Sequence, residues 1–180
     1  MNKRGQFYLI AAMIIVALIL GFAAITNEIK KEEFTELESA TEELKIEGQA
    51  VLDHAAYQKL TDTEINDLLI SFTQSYSNYT SAENLYFIFG DSSEITVAAY
   101  RRSSPGEILV NGLEFVIEQE TYTYNSYASP PTPTIITINE IDHEFELKQG
   151  ENFYFILSQG REGGAYFFTG GVVKDFENDI

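Results

Sequence analysis

The side chains of this chain that are able to do chemistry are mostly carboxylates. Of 180 residues, 28 are Asp or Glu, 11 are Lys or Arg, two are His and none is Cys. Without cysteine there is no thiolate nucleophile, no disulfide framework and no thiolate metal site. His54 and His143 stand far apart, so a transition-metal site built on them would need carboxylates for its remaining ligands. Neither lies in a G-x-S-x-G or H-E-x-x-H motif, and both read as surface residues, His54 on a helix and His143 in a turn. Asp91-Ser92-Ser93-Glu94 and Asn139-Glu140-Ile141-Asp142 offer oxygens to a calcium ion but lack the Gly and bidentate Glu spacing of an EF-hand. Their Asp and Asn read as turn formers. Gly160-Arg161-Glu162-Gly163-Gly164 has no Lys-Ser or Lys-Thr after it and runs into a strand, which makes it a hairpin turn and not a phosphate loop. A glycosidase pair is defined by separation in space, so nothing in the order of the carboxylates selects one. No catalytic, metal-binding or cofactor-binding residue is assigned, and no enzyme is expected.

Electrostatics narrow the partners further. A formal net charge of -17 repels a polyanion, and the adjacent Arg101-Arg102 reads as a solvated strand end, so nucleic acid is excluded as a partner. Tyr122, Tyr124 and Tyr127 precede three prolines within Ala128 to Pro133. They suit either a contact surface, because tyrosine joins an apolar ring to a polar tip, or an alternating strand.

Elements that would position these groups follow from periodicity. Phe34, Leu37, Leu44, Val51, Leu52, Ala55 and Ala56 form one stripe between glutamates, which predicts a helix running to about Leu60. Gly48 interrupts it, as a bend or as a close contact. Thr61-Asp62-Thr63-Glu64 caps a second helix that buries Ile65, Leu68, Leu69, Phe72 and Tyr76 and ends near Asn78. From Asn84 onward, aromatic and β-branched runs predict strands at Leu85 to Phe89, Ile95 to Tyr100, Glu107 to Val110, Leu113 to Tyr122, Thr134 to Ile138, Glu144 to Lys148, Phe153 to Leu157 and Ala165 to Thr169. Asn111-Gly112 is a hairpin signal, and the proline stretch reads as an extended surface loop. Asn78-Tyr79-Thr80 fits an N-glycosylation sequon, which makes Asn78 a glycosylation candidate.

The N-terminus is the most informative segment. Phe7 to Ile25 carries no formal charge and is rich in Ile, Leu, Ala and Val. As a helix it is about 28 Å long, close to the roughly 30 Å hydrocarbon thickness of a bilayer. Lys3 and Arg4 precede the run and Asn27-Glu28 follow it, so the start is expected in the cytoplasm and the acidic bulk outside. The rival reading is a secretory signal cut after Gly21-Phe22-Ala23, but the apolar run continues past that site to Ile25.

Lys3-Arg4-Gly5-Gln6-Phe7-Tyr8-Leu9-Ile10 resembles the class III signal peptide of archaeal type IV pilins and pilin-like proteins. The resemblance covers about the first twenty-five residues and the general layout. It implies recognition of Lys3, Arg4 and Gly5 by a prepilin-type peptidase, cleavage between Gly5 and Gln6, and retention of the apolar helix. Ile10 departs from the pattern, because many members carry a glutamate there for subunit registration. The expected fold is α+β: a long N-terminal helix, transmembrane in its first half, a second short helix, and an antiparallel β-sheet or small β-sandwich head. The expected divisions are a leader at 1–5, a transmembrane helix at 6–26, a helical stalk and second helix at 27–80, and a β-rich extracytoplasmic domain at 81–180. Membrane lipid, the peptidase and further copies of the chain, through the N-terminal helix, are the implied partners. The alternative is a surface binding module, an adhesin or receptor ectodomain with an uncleaved signal anchor.

Overall fold

The computed structural model describes residues 15–16, 35–80, 82–148, 150–161 and 164–174. Contacts divide the chain into two units, 1–38 and 39–180. In the first unit the described residues are helical.

Residues 35–58 form helix α1, and α2 spans Asp62–Tyr79. The turn between them carries Lys59 at φ 54, and α2 starts at the predicted cap. The Thr61 side chain accepts from the Glu64 amide while the Thr61 amide donates to Glu64 Oε2 at 2.8 Å, a reciprocal capping box. The expected stripe is realised: Leu44, Leu52 and Ala55 of α1 and Ile65, Leu69 and Tyr76 of α2 are buried. Tyr76 ties the helices together by donating to the Ala40 carbonyl at 3.1 Å.

Nine strands follow among the described residues: β1 Asn84–Gly90, β2 Glu94–Arg101, β3 Gly106–Val110, β4 Leu113–Ile117, β5 Tyr122–Ala128, β6 Thr134–Ile138, β7 Ile141–Phe145, β8 Glu151–Arg161 and β9 Gly164–Lys174. They make two antiparallel sheets, ordered β5-β2-β1-β8-β9 and β4-β3-β6-β7. Alternation along β1 explains the layering of the second unit. Tyr86 and Ile88, with Val97, Ala99 and Ile156 beside them, share a core with Ile108, Val110, Phe115, Ile136 and Phe145 of the smaller sheet. The opposite face of β1, Leu85, Phe87 and Phe89, belongs with Phe153 and Phe155 of β8 and turns to the helices. There Phe72 of α2 lies 5.8 Å from the Phe153 ring, and a Cβ built at Gly48 would stand 2.7 Å from two of its ring carbons. Gly48 is therefore a close contact and not a bend. Because both faces of the central strands are covered, β1 is buried at six consecutive positions, Asn84 to Phe89, and from Leu85 onward these form an apolar run instead of a polar–apolar alternation.

Several boundaries differ from expectation. The long strand expected over Leu113 to Tyr122 is two strands in two sheets: Glu120 adopts φ 54 and donates to the Arg101 carbonyl, which turns the chain from the smaller sheet into β5 of the larger one. β7 begins earlier than Glu144, because Asn139 and Glu140, both at positive φ, close a two-residue turn directly after β6. β8 and β9 are longer than expected. Gly170 and Gly171 look like breakers, yet they sit inside β9 because the Phe155 and Tyr154 rings occupy the space a side chain would need. The Asn111-Gly112 hairpin joins β3 to β4 with both residues at positive φ.

Candidate functional site

Lys3, Arg4, Gly5 and Gln6, the residues expected to be read by a peptidase, lie outside the described residues, as does the apolar run 7–25 apart from Ile15 and Val16, which are helical and exposed. Among the described residues no helix is long and apolar enough to cross a membrane. Asn78 is exposed in the last turn of α2, where its Nδ2 donates to the Gln74 carbonyl at 3.1 Å. Thr80, the third residue of the sequon, is buried at 8% exposure and accepts from the Ala82 amide.

The histidines are not brought together. His54 is exposed on α1, as expected. His143 is not a turn or surface residue: it lies in β7 on the inward face, its ring 5.2 Å from that of Phe167 and its Nε2 buried without a hydrogen-bond partner. Burial lowers its pKa, against the opposing charge of Asp142, so the neutral ring is favoured. The tyrosines follow the strand reading. Tyr122 and Tyr124 share one face of β5 with rings 6.2 Å apart, and Tyr127 faces the other way into the sandwich core. Tyr122 is hydrogen-bonded to Thr73 of α2, and burial raises its pKa to about 12.

The structure instead assembles a site at one end of the five-stranded sheet. A cleft of about 350 Å³ opens between the first turn of α2 and the turn joining β1 to β2. Among the described residues its walls carry Asp62, Asp91, Glu94 and Glu151, and no Lys, Arg or His. Asp91 Oδ1 accepts from the Ser93 amide, the Ser93 hydroxyl and the Glu94 amide at 2.7–3.0 Å, which fixes the turn. Burial would raise the pKa of Asp91, but these bonds outweigh it and the carboxyl stays below its ordinary range. On the second wall Thr96 donates to Asn66 Oδ1 at 2.9 Å, locking α2 to β2.

Glu151 opens β8 and is only 7% exposed. It is held there by Asn152, which is fully buried. Asn152 Nδ2 faces the carbonyls of Gly90, Lys148 and Gly150 at 2.9–3.1 Å, and its Oδ1 accepts from the Lys148 amide. The Gly90↔Asn152 register of β1 and β8 thus delivers Glu151 to the cleft beside Asp91. Burial first, then the charges of Asp91 and Asp62, push the Glu151 carboxyl up to about 7. Among the described residues no group of three or more His, Asp or Glu side chains is placed to hold a metal ion.

Sequence reasoning noticed Asp91, Glu94 and Asp62 only as turn and cap residues, and missed Glu151. The available signal was a charged residue separated only by Asn152 from the apolar run Phe153 to Leu157. Compared with protein-family models, curated proteins and solved structures, the chain matches none.

Proposed function

We propose that the chain is a membrane-anchored, extracytoplasmic, pilin-like structural protein, processed after Gly5 and held by the helix that begins at Gln6. The carrying observation is the uncharged run Phe7 to Ile25 directly behind Lys3-Arg4-Gly5. The head supports this reading: α1 buries residues 44, 52 and 55 and sets Gly48 against the Phe153 ring of an antiparallel sheet, as suits a subunit with an N-terminal helical stem and a β-rich head. The strongly acidic composition fits a soluble exterior domain. In this reading the apolar helices of several copies pack together in a filament, lipid surrounds the helix before assembly, and no catalytic step is performed.

A second reading, a tethered binding module that does not assemble, is favoured by two observations: Ile10 in place of the registering glutamate and the acidic cleft of the head. Electron microscopy of sheared surface material separates the two. Filaments labelled by antibody to the head support the subunit reading. Antibody label confined to the membrane, with no fibre, supports the tethered module.

A further inference from the structure

We infer that the cleft between the first turn of α2 and the β1–β2 turn binds the ammonium or guanidinium head of an organic cation, with Glu151 as its counter-ion. This does not depend on how the chain is anchored or whether it assembles.

Glu151 itself carries the argument. The Glu151 residue is more than nine-tenths buried while its side chain meets the cleft, and a carboxylate so largely removed from water gains from a donor or a cation beside it. Among the described residues Glu151 has neither, while its side chain borders an open cleft. The nearest cation by strand pairing is Lys174, opposite Glu151 in the β8–β9 register, but its Nζ is engaged by Asp53 of α1 at 3.3 Å. A cation entering the cleft would supply the partner that the described residues do not.

Shape and lining then choose the class of cation. The volume, about 350 Å³, lies at the small end of the range for organic ligand sites. Leu69 and Phe89 give the cleft an apolar wall that suits the methylene stem of an alkylamine or alkylguanidine, whereas a metal ion gains nothing from it. Among the described residues, moreover, the carboxylates are not grouped as metal ligands. Asp62 and Glu94 add negative potential at the mouth, and the hydrogen bonds of Asp91 and Asn66 preform the walls, so little ordering is needed on binding.

The charged groups around Glu151 set the pH dependence: Asp62 from α2, Asp91 and Glu94 from the β1–β2 turn, and Lys174 from β9, already paired with α1. Only the ionised carboxylate attracts a cation, and the Glu151 carboxyl is half-ionised at about pH 7. Affinity is expected to rise about tenfold from pH 6 to pH 8.

The test uses the full chain in detergent micelles, with amide chemical-shift mapping and calorimetry. The probes are agmatine, a blocked Gly-Arg-Gly tripeptide and calcium chloride. Shifts at Gly90, Asn66 and Thr96 with agmatine alone assign the site to a free amine. The same shifts with the tripeptide assign it to a side chain of a protein partner. In either case Glu151→Gln should weaken binding at least tenfold with the amide spectrum still dispersed, and Asp62→Asn should weaken it by a smaller factor. Should Glu151→Gln fail to fold, Asp62→Asn and the pH series on the unaltered chain decide. The inference is overturned if neither organic probe shifts these amides at about 10 mM, if binding survives Glu151→Gln, if affinity is flat between pH 6 and pH 8, or if calcium alone saturates the site.

Discussion

Gly48→Ala is the sharpest probe of the contact between α1 and the sheet. In an exposed helix this substitution stabilises by about 1 kcal/mol, because alanine loses less backbone entropy than glycine. Here the new methyl would stand 2.7 Å from two carbons of the Phe153 ring, well inside van der Waals contact. The ring has nowhere to go. It is fully buried, 5.8 Å from the ring of Phe72, 6.2 Å from that of Phe87 and 6.0 Å from that of Phe155. Overpacking of this kind costs about 1–3 kcal/mol, so after the helix gain the net loss is expected to be about 0–2 kcal/mol. For a chain of this length each kcal/mol lowers the melting temperature by about 2–4 °C, giving a fall of up to about 8 °C in thermal denaturation. A double-mutant cycle with Phe153→Leu isolates the cause: the pair should be less destabilised than the sum of the singles. An increase in stability for Gly48→Ala, or strict additivity with Phe153→Leu, would refute the close approach of α1 to β8.

Other perturbations test separate parts of the head. Thr61→Ala removes the cap of α2 and should cost about 1 kcal/mol in urea unfolding. It should also move the Glu64 carboxyl, now held low by the Thr61 amide first and its hydroxyl second, only part of the way back towards its ordinary range in an NMR titration, because the amide at position 61 remains. Asn152→Ala strands the Lys148 amide and the carbonyls it faces, with an expected loss of about 2–3 kcal/mol and a displaced β1–β2 turn, seen as shifted amides at Gly90 and Asp91. Glu151 gives a pH signature whose sign is fixed. Its folded pKa of about 7 lies above the ordinary 4.5, so the fold binds the proton more tightly than the unfolded chain. Its contribution is best below about pH 4.5, declines as pH rises to about 7, and is flat above. Each tenfold in proton affinity is about 1.4 kcal/mol, so Glu151→Gln should stabilise the chain at pH 8 by up to about 3 kcal/mol, less where water in the cleft screens the charge. It should do nothing at pH 4, and parallel stability profiles of the two proteins between pH 4 and pH 8 would contradict the burial of this carboxylate.

The helices of the head were legible because each is amphipathic in isolation. The α1 stripe and the Thr61 to Glu64 cap need only local spacing to be read. Most strands were legible for a similar reason, as aromatic and β-branched runs bounded by turn residues. β5 was legible only as one of two readings of Tyr122, Tyr124 and Tyr127, because Thr123, Asn125 and Ser126 dilute its pattern and its start abuts the run from Leu113. What ends β4 is a tertiary event, the Glu120 amide reaching Arg101, which no local pattern encodes. The ends of β8 and β9 were hidden for a related reason: glycine reads as a breaker until the Phe155 and Tyr154 rings that need the space are known. The cleft was the least legible feature. Asp62, Asp91 and Glu151 are far apart in sequence and meet only through the β1–β8 register and the packing of α2 on the sheet.

The central claim, a chain cut behind Gly5 and held in the membrane by its apolar N-terminal helix, is tested most directly by the intact mass of protein extracted from native membranes. The account predicts a membrane-bound species beginning at Gln6. A membrane-bound species beginning at Met1 would contradict the processing, and a soluble one beginning at Met1 or at Ala24 would contradict the anchor itself.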